Sequence, residues 1–245
     1  MSLRKVSKEY LEEILNSVSI TKSWEWVLPE IERLKLPEEI GNGGINTGDR
    51  RALFYLVSAF APNSVLEVGT HIGFSTIHIA MALRTLFGYT RNSCTFHTVD
   101  IKDVNDQDSK PWIKHGLSSS PEDMVSRNQC RFTKFIHCNS IDHLSEYHAG
   151  YDFMFLDGSH KKEVLVEDIP LALTKLNDKG VIVLHDYFPN GDSLWENKKP
   201  ITGPYEAIKD LSKLFNIEAI PLGNLPWKTK LDSNVTSLAI LSPLS

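Results

Sequence analysis

Acidic and histidine side chains follow short apolar stretches of this 245-residue chain, in positions suited to polar chemistry. Asp157 and His160 come after the apolar run 151–156, and Asp186 comes shortly after the run 181–184. Two carboxylates that lie close together repel each other unless a proton or a cation separates them. One interpretation of Asp157 and Asp186 is therefore a divalent metal site with hard oxygen ligands. The alternative is that Asp157 only caps the helix that follows it.

Two histidines accompany these acids. His160 stands three residues after Asp157, at the entrance of a predicted helix. Imidazole titrates near neutral pH, so His160 is a candidate general base, although a lone histidine is more often a polar surface residue. His185 directly precedes Asp186, and strand alternation predicts that these two side chains point to opposite sides of the sheet. We therefore expect His185 only to pack or to form a hydrogen bond.

The second candidate site is a glycine turn that follows a strand containing an acidic residue. The segment 64–76 places an apolar strand, the acid Glu67 and a turn between Gly69 and Gly73 directly before a predicted helix. Glycines let the backbone approach a ligand closely, and the first turn of a helix leaves unpaired N–H groups that face it. Glu67 would repel a diphosphate, so a positively charged ligand without phosphate fits better. S-adenosylmethionine (SAM) is such a ligand.

A third acid, Asp100, ends the next predicted strand. An acid at this place commonly accepts hydrogen bonds from both hydroxyls of a ribose, and the alternative is a solvated strand-end acid. Within the glycine turn, His71 is expected to contact the cofactor through its backbone. The cofactor-binding residues predicted in the turn and its flanks are Glu67, Gly69, Thr70, His71, Gly73, Phe74 and Ser75.

Alternating strands and helices must bring these residues together. Apolar runs predict strands at 65–68, 95–99, 132–137, 151–156, 181–184, 217–221 and 237–241. Helical spacing of apolar residues predicts helices at 6–18, 50–60, 75–83, 161–176 and 205–214, with a short helix ending near 147. This alternation indicates an α/β fold with an open, mostly parallel sheet covered on both faces. Ligands of such doubly wound sheets bind outside the carboxyl ends of the strands, where all these polar residues lie.

Two segments between these elements are long or rich in glycine. Residues 102–131 are polar and predict either a functional insertion or a partly disordered loop. Trp112 in this segment could cover an adenine, but anchoring of the loop on the core is the commoner role. The glycine-rich loop 40–48 could be a flexible linker or a ligand lid. We expect one folding unit, with a helical cap and this loop at 1–48 and a cofactor-binding domain at 49–245.

Composition excludes several classes of function. The net charge is −5, and no lysine or arginine cluster is denser than Lys161-Lys162, which disfavours a nucleic-acid groove and favours a small-molecule substrate. Three cysteines without CxxC spacing disfavour a disulfide framework and a zinc site. No stretch has the character of a signal peptide or a membrane span. We expect a soluble cytoplasmic protein without nucleic-acid or membrane partners, and a homodimer is open.

Four segments, taken in order, resemble class I SAM-dependent methyltransferases, and the catechol-type and sugar or macrolide O-methyltransferases in particular. The segments are Glu67-Val-Gly-Thr-His-Ile-Gly-Phe-Ser75, Asp100, Phe155-Leu-Asp-Gly-Ser-His160 and Leu184-His-Asp-Tyr-Phe188. The resemblance covers roughly residues 48–191. It implies a Rossmann-like, doubly wound sheet of seven strands with an antiparallel last strand and an N-terminal helical cap.

The resemblance also implies roles for single residues. Glu67, Gly69 and Ser75 would hold the methionine part of SAM, Asp100 the ribose, and Ser140 would lie near the adenine. Asp157 and Asp186 would bind Mg²⁺ or another divalent cation, and Asp157 would also lie against the cofactor. Two positions depart from the catechol enzymes: His160 replaces a lysine base, and Tyr187 replaces an asparagine that completes the metal shell.

The reaction that these residues imply is O-methylation of a catechol, a sugar or another secondary metabolite, with His160, Asp157 and Asp186 as catalytic residues. The acceptor pocket is expected at 24–48, Trp112 and 189–204. One alternative is a short-chain NAD(P)-dependent oxidoreductase, because Tyr205 and Lys209 have YxxxK spacing; the glycine turn, which lacks a dinucleotide pattern, argues against it. The other is a non-catalytic, SAM-binding partner subunit.

Overall fold

One seven-stranded sheet organises the molecule. The computed structural model describes residues 3–37, 44–88, 94–196, 199–230 and 232–244. Its strands are β1 (Ser64–Val68), β2 (Thr95–Asp100), β3 (Thr133–His137), β4 (Tyr151–Leu156), β5 (Leu176–Leu184), β6 (Ile217–Pro221) and β7 (Ala239–Pro243). They lie in the order β3-β2-β1-β4-β5-β7-β6, and β7 runs antiparallel to both of its neighbours. The predicted Rossmann-like, doubly wound fold with an antiparallel last strand is confirmed.

Eight α-helices cover the described parts of the sheet: α1 (Lys8–Leu15), α2 (Val18–Glu32), α3 (Thr47–Phe60), α4 (Phe74–Phe87), α5 (Pro121–Arg127), α6 (Ser140–Glu146), α7 (Lys162–Thr174) and α8 (Gly203–Phe215). None of these helices combines the length and apolar composition that a membrane span requires. Alternate residues of the strands point to two cores. Phe153 and Phe155 of β4 pack with α1 to α5, and Met154 and Leu156 pack with α6 to α8.

The strand order reverses between β1 and β4, which are parallel neighbours although they are far apart in sequence. The chain leaves β1 toward β2 and β3 on one side, and β4 continues toward β5 on the other. Such a switch point leaves a crevice at the carboxyl ends of the two central strands. The turn after β1 and the loop after β4 therefore border the same crevice.

The amino-terminal helix prediction is wrong in one respect. A single helix was expected at 6–18, but α1 ends at Leu15 and α2 starts at Val18 after Ser17, whose hydroxyl caps the new helix. Val18, the last apolar residue of the predicted helix, is 70% exposed. The apolar spacing runs across the break, so it could not reveal the cap.

Other element boundaries also differ from expectation. Helix α7 ends at Thr174 instead of 176, and β5 begins at Leu176 instead of 181, because Leu176 pairs with Tyr151 across a register shift. Strand β7 begins two residues later than predicted, at Ala239. The segment 102–131 contains a 3-10 helix (Pro111–His115) and α5, and its Trp112 is buried in the core.

Candidate active site

Backbone hydrogen bonds hold the strand ends in register at the crevice. The N–H of Gly69 donates to Val99 O at 2.8 Å, that of Asp157 to Val68 O at 2.8 Å, and that of His185 to Leu156 O at 3.2 Å. Gly69 adopts φ +97°, and a β-carbon there would lie 2.3 Å from the carbonyl oxygen of Asp157. Only glycine fits this contact, so the glycine turn packs directly on the loop that carries Asp157.

Three predicted residues meet at this place. One ligand atom from each of Asp157, His160 and Asp186 lies within 4.8 Å of the others. His160 Nδ1 lies 3.3 Å from Asp186 Oδ2, and the His160 side chain is 43% exposed while the two acids are mostly buried. The His160 imidazole is therefore accessible to solvent, and the two carboxylates lie beneath it. Two carboxylates and one imidazole form a set that could hold a divalent cation.

His185 contradicts the prediction that it faces away from Asp186. Its Nδ1 lies 2.9 Å from Asp157 Oδ1 and 3.7 Å from Asp186 Oδ2. The reason is the backbone of Asp186, which adopts φ +51° and so leaves the extended conformation on which strand alternation depends. Asp186 turns back toward the crevice, where its Oδ1 lies 3.4 Å from the hydroxyl of Ser237.

The other face of His185 contacts Asp49, a residue that the sequence analysis did not select. Asp49 lies in the first turn of α3 and has no exposed surface. Its Oδ2 lies 3.4 Å from His185 Nε2 and accepts a hydrogen bond from Asn46 Nδ2 at 2.6 Å. Asp49 Oδ1 has no hydrogen-bond partner among the described residues. Asp49 directly precedes Arg50 and Arg51 in the first turn of α3, where an acid is common, so nothing in the sequence marked it.

Charge explains the state of His185. Burial lowers the pKa of the imidazole, but the nearby carboxylates of Asp157 and Asp186, the hydrogen bond to Asp157 and the contact with Asp49 raise it, and the resulting pKa lies well above the ordinary value of 6.5. A positive His185 reduces the repulsion between Asp157 and Asp186. The site therefore contains its own counter-ion within the protein.

The predicted acid Glu67 is fully buried below the glycine turn. Its Oε2 accepts hydrogen bonds from Thr76 at 2.5 Å and from Thr98 at 2.6 Å, and its Oε1 has no partner among the described residues. Burial raises the pKa of Glu67 to about 7, although the hydroxyls of Ser75, Thr76 and Thr98 oppose the shift. The hydroxyl of Thr70 lies 2.6 Å from that of Thr98 and extends this network.

Asp100 lies at the end of β2, beside the glycine turn. Its Oδ2 accepts from the N–H of His71 at 2.8 Å, and its Oδ1 accepts from the N–H of Lys102 at 2.8 Å. Each carboxylate oxygen has a second lone pair, so both can still accept a ligand hydroxyl. The hydroxyl of Ser140, the residue predicted near the adenine, donates to Asp168 Oδ1 at 2.8 Å. Because the hydroxyl is engaged there, the backbone at the start of α6 is the group left for a contact with the cofactor.

Other segments close around the glycine turn. Gly73 adopts φ +78° and begins α4, and a β-carbon there would lie 2.8 Å from Pro121 of α5. His71 packs edge-on against His115 at 4.8 Å, and burial is the main cause that lowers its pKa. The segment 102–131 therefore covers the turn. Of the predicted loop 40–48, residues 40–43 lie outside the described residues.

The buried Arg50 braces the chain that precedes α3. Its guanidinium donates from Nε to Ile45 O at 2.7 Å and from Nη1 to Pro37 O at 3.1 Å, and it lies 4.2 Å above the ring of Phe74. These contacts join the first turns of α3 and α4. Tyr205, considered above for a YxxxK pair, packs edge-on against Tyr187 in the structure.

Comparisons with known proteins support the fold. Residues 66–187 match the family described as "Methyltransferase domain". No curated protein sequence matches the chain significantly. The fold is similar to that of the O-methyltransferase TomG from Streptomyces achromogenes, involved in tomaymycin synthesis and solved in complex with SAM. The identity is 14%, the alignment covers 94% of this chain and 91% of TomG, and the TM-score is 0.58.

Two further solved structures are similar. Cofactor-bound Rv0187 from MTB is 15% identical over 98% of this chain and 99% of its own, with a TM-score of 0.59. The O-methyltransferase from Bacillus cereus in complex with SAH is 17% identical over 97% of this chain and 96% of its own, with a TM-score of 0.57. At these identities the similarity establishes a common fold.

Proposed function

The chain belongs to the SAM-dependent methyltransferases, and we propose that it transfers the methyl group of SAM to a hydroxyl oxygen of a small molecule such as a catechol or a sugar. The observation that carries this proposal is the cluster of Asp157, His160 and Asp186 beside the glycine turn. A cofactor bound against the glycine turn would bring its methyl group near this candidate base and these two acids. The SAM-binding relatives and the O-methyltransferase relatives support the same assignment.

The residues of the crevice fit SAM. Asp100 keeps lone pairs for two ribose hydroxyls, and its backbone partners fix the carboxylate in place. The glycine turn carries no lysine or arginine for a diphosphate, and Glu67 lies beneath it. When bound, SAM supplies a methyl group that its positively charged sulfur has already activated. The protein must then place an oxygen in line with that methyl and exclude water.

His160 acts as the base in this proposal. Its Nδ1 faces Asp186, which orients the ring and leaves Nε2 free to accept the proton of the acceptor hydroxyl. With SAM bound, transfer would join the acceptor oxygen to the methyl carbon and break the carbon–sulfur bond, whose electron pair would stay on sulfur. His160 would take up the proton that the acceptor hydroxyl releases.

A divalent cation is the finer part of the proposal. Asp157 and Asp186 would hold it, with His160 as a further ligand or as the neighbouring base. A bound cation would lower the pKa of a coordinated hydroxyl. With the imidazole as a ligand the set would favour Mn²⁺ or Fe²⁺, whereas the two carboxylates alone would favour Mg²⁺ or Ca²⁺.

Calorimetry and turnover test this proposal. We expect SAM to bind, and methyl-labelled SAM to transfer its label to members of a catechol and sugar panel, with EDTA and added Mg²⁺ or Mn²⁺ deciding the metal. His160→Gln should lower kcat by roughly 10²- to 10⁴-fold and leave the Kd of SAM within about threefold. Absence of SAM binding would refute the proposal, and full turnover by the variant would refute the base.

A further inference from the structure

A buried chain of three side chains runs from the first turn of α3 into the crevice: Asp49, His185 and Asp157. His185 Nδ1 donates to Asp157 Oδ1 at 2.9 Å, and its Nε2 lies 3.4 Å from Asp49 Oδ2. We propose that Asp49 and His185 are a positioning pair that holds the Asp157 side chain in the orientation required by the acceptor half of the reaction. This inference rests on the proposed function, because that function gives Asp157 its role.

Asp49 is held firmly enough to serve as the fixed end of this chain. Its backbone N–H donates to Asn46 Oδ1 at 2.9 Å, so the same asparagine caps α3 and contacts the Asp49 carboxylate. Trp227 Nε1 donates to Gly48 O at 2.9 Å, and a β-carbon on Gly48 would lie 2.5 Å from Lys228 O. The first turn of α3 is therefore clamped against the carboxyl-terminal part of the chain.

The burial of Asp49 is costly and calls for a compensating role. Removing a carboxylate from water costs several kcal/mol unless its lone pairs are satisfied, and Asp49 Oδ1 has no hydrogen-bond partner among the described residues. An apolar residue would pack more favourably at this place. The Asp49 carboxylate does, however, lie 3.4 Å from His185 Nε2, at ion-pair distance without hydrogen-bond geometry, and its negative charge favours the ring orientation that turns Nε2 toward it.

The ring rotation determines what Asp157 can do. The hydrogen bond from Nδ1 to Asp157 Oδ1 holds the carboxylate beside His160 and Asp186. Ligand residues with a fixed outer contact bind and react in one geometry, and loss of such contacts typically costs about 10- to 100-fold in activity or metal affinity. Helix α3 thereby influences the acceptor side without touching the acceptor.

Two substitutions of His185 separate this role from simple packing. The amide of asparagine reproduces the position of Nδ1, and the amide of glutamine reproduces that of Nε2. We expect His185→Gln and Asp49→Asn each to lower kcat by about 10- to 100-fold, with the Kd of SAM changed by less than about threefold. His185→Asn should retain at least threefold more kcat than His185→Gln. Asp49→Asn should add little in the His185→Asn background, since its effect passes through Nε2.

A readout without turnover accompanies these assays. A histidine N–H that donates to a buried carboxylate gives a downfield proton resonance, which we expect in the free protein, absent from His185→Asn and shifted upfield in Asp49→Asn. His97→Gln is the matched control, because His97 is also buried and its Nδ1 bonds to Tyr151 at 2.7 Å, away from the crevice. It should lower stability and leave the kcat of the folded protein unchanged.

The outcomes distinguish the two proposals. Equal losses in both His185 variants, or additive losses for Asp49→Asn and His185→Asn, would overturn the positioning pair. If the wild-type protein binds SAM and transfers methyl groups, and all the His185 and Asp49 variants have the same kcat, the proposed function stands and this inference alone is refuted. A wild-type protein without methyl transfer would refute the proposed function, and the downfield resonance would still decide whether Asp49 orients His185.

Discussion

Glu67 has an ionisation that folding opposes. Its folded pKa of about 7 lies above the ordinary value of 4.5 because the carboxyl is fully buried. The folded state therefore binds the proton more tightly than the unfolded state does. The resulting stability is fully present below pH 4.5 and is lost as the pH rises through 7.

We expect Glu67→Gln to remove this pH dependence. Relative to wild type, the variant should gain stability between pH 5 and pH 8.5, by up to roughly 3 kcal/mol for a shift of this size. Urea denaturation of the SAM-free protein at both pH values measures the difference. Parallel pH profiles for the two proteins would contradict the raised pKa of Glu67.

The sequence was sufficient to select site residues where an acid or a histidine directly follows a predicted strand. Asp157, His160 and Asp186 each follow an apolar run, and the structure brings them together. Their roles remain predictions. Asp49 was missed because its partner His185 lies far away in sequence, and His185 was misplaced because a positive φ at the next residue leaves no mark in the apolar pattern.

At the scale of elements, the start of α8 sets the position of His160. A β-carbon on Gly203 would lie 2.0 Å from His160 O and 3.0 Å from Lys162 N. Both neighbours are backbone atoms, so the loop that carries His160 would have to move. A displacement of about 1 Å in a catalytic group can cost roughly 10²-fold in rate.

We therefore expect Gly203→Ala to lower kcat by roughly 10²-fold while SAM affinity stays within a few-fold. Steady-state kinetics and calorimetry on the same sample measure both quantities. Gly180→Ala is the control, because its β-carbon would crowd Leu176 and Asn177. These residues lie at the amino-terminal end of β5, at the opposite end of the strand from the crevice. If both variants lose kcat equally, general destabilisation explains the loss and the Gly203 contact does not.

Element prediction succeeded where the apolar pattern has sharp ends. Strands β4 and β6 begin and end where the sequence placed them. It failed where a cap or a register shift decides the boundary, as at Ser17 between α1 and α2 and at Leu176 in β5. Those boundaries depend on one hydroxyl and on one distant pairing, and neither alters the local hydrophobic periodicity.

For the molecule as a whole, the cap shares its core with the sheet. Trp24 of α2 packs edge-on against Phe54 of α3 at 5.3 Å, and Arg84 of α4 forms a two-pronged ion pair with Glu30 of α2. The predicted alternation of strands and helices was sufficient to identify the sheet. It could not identify how the cap docks, because this docking depends on pairs remote in sequence.

We expect cap and sheet to unfold together. Urea denaturation followed by far-UV circular dichroism and by tryptophan fluorescence should give coincident transitions. SAM at 100 times its Kd should add about 2.7 kcal/mol to the free energy of unfolding. Trp24→Phe removes a fluorescent probe from the cap. If the wild-type protein shows an early fluorescence transition that is absent from this variant, the cap unfolds before the sheet and the two are not a single cooperative unit.

The left-handed backbone of Asp186 limits what can occupy that position. Among residues other than glycine, asparagine and aspartate tolerate φ near +51° best. Within that short repertoire, aspartate alone carries a negative charge. A substitution of Asp186 that preserves the backbone of this loop is therefore limited to glycine or asparagine, and either one removes the carboxylate. The loop and the negative charge of the crevice can be kept together only by aspartate.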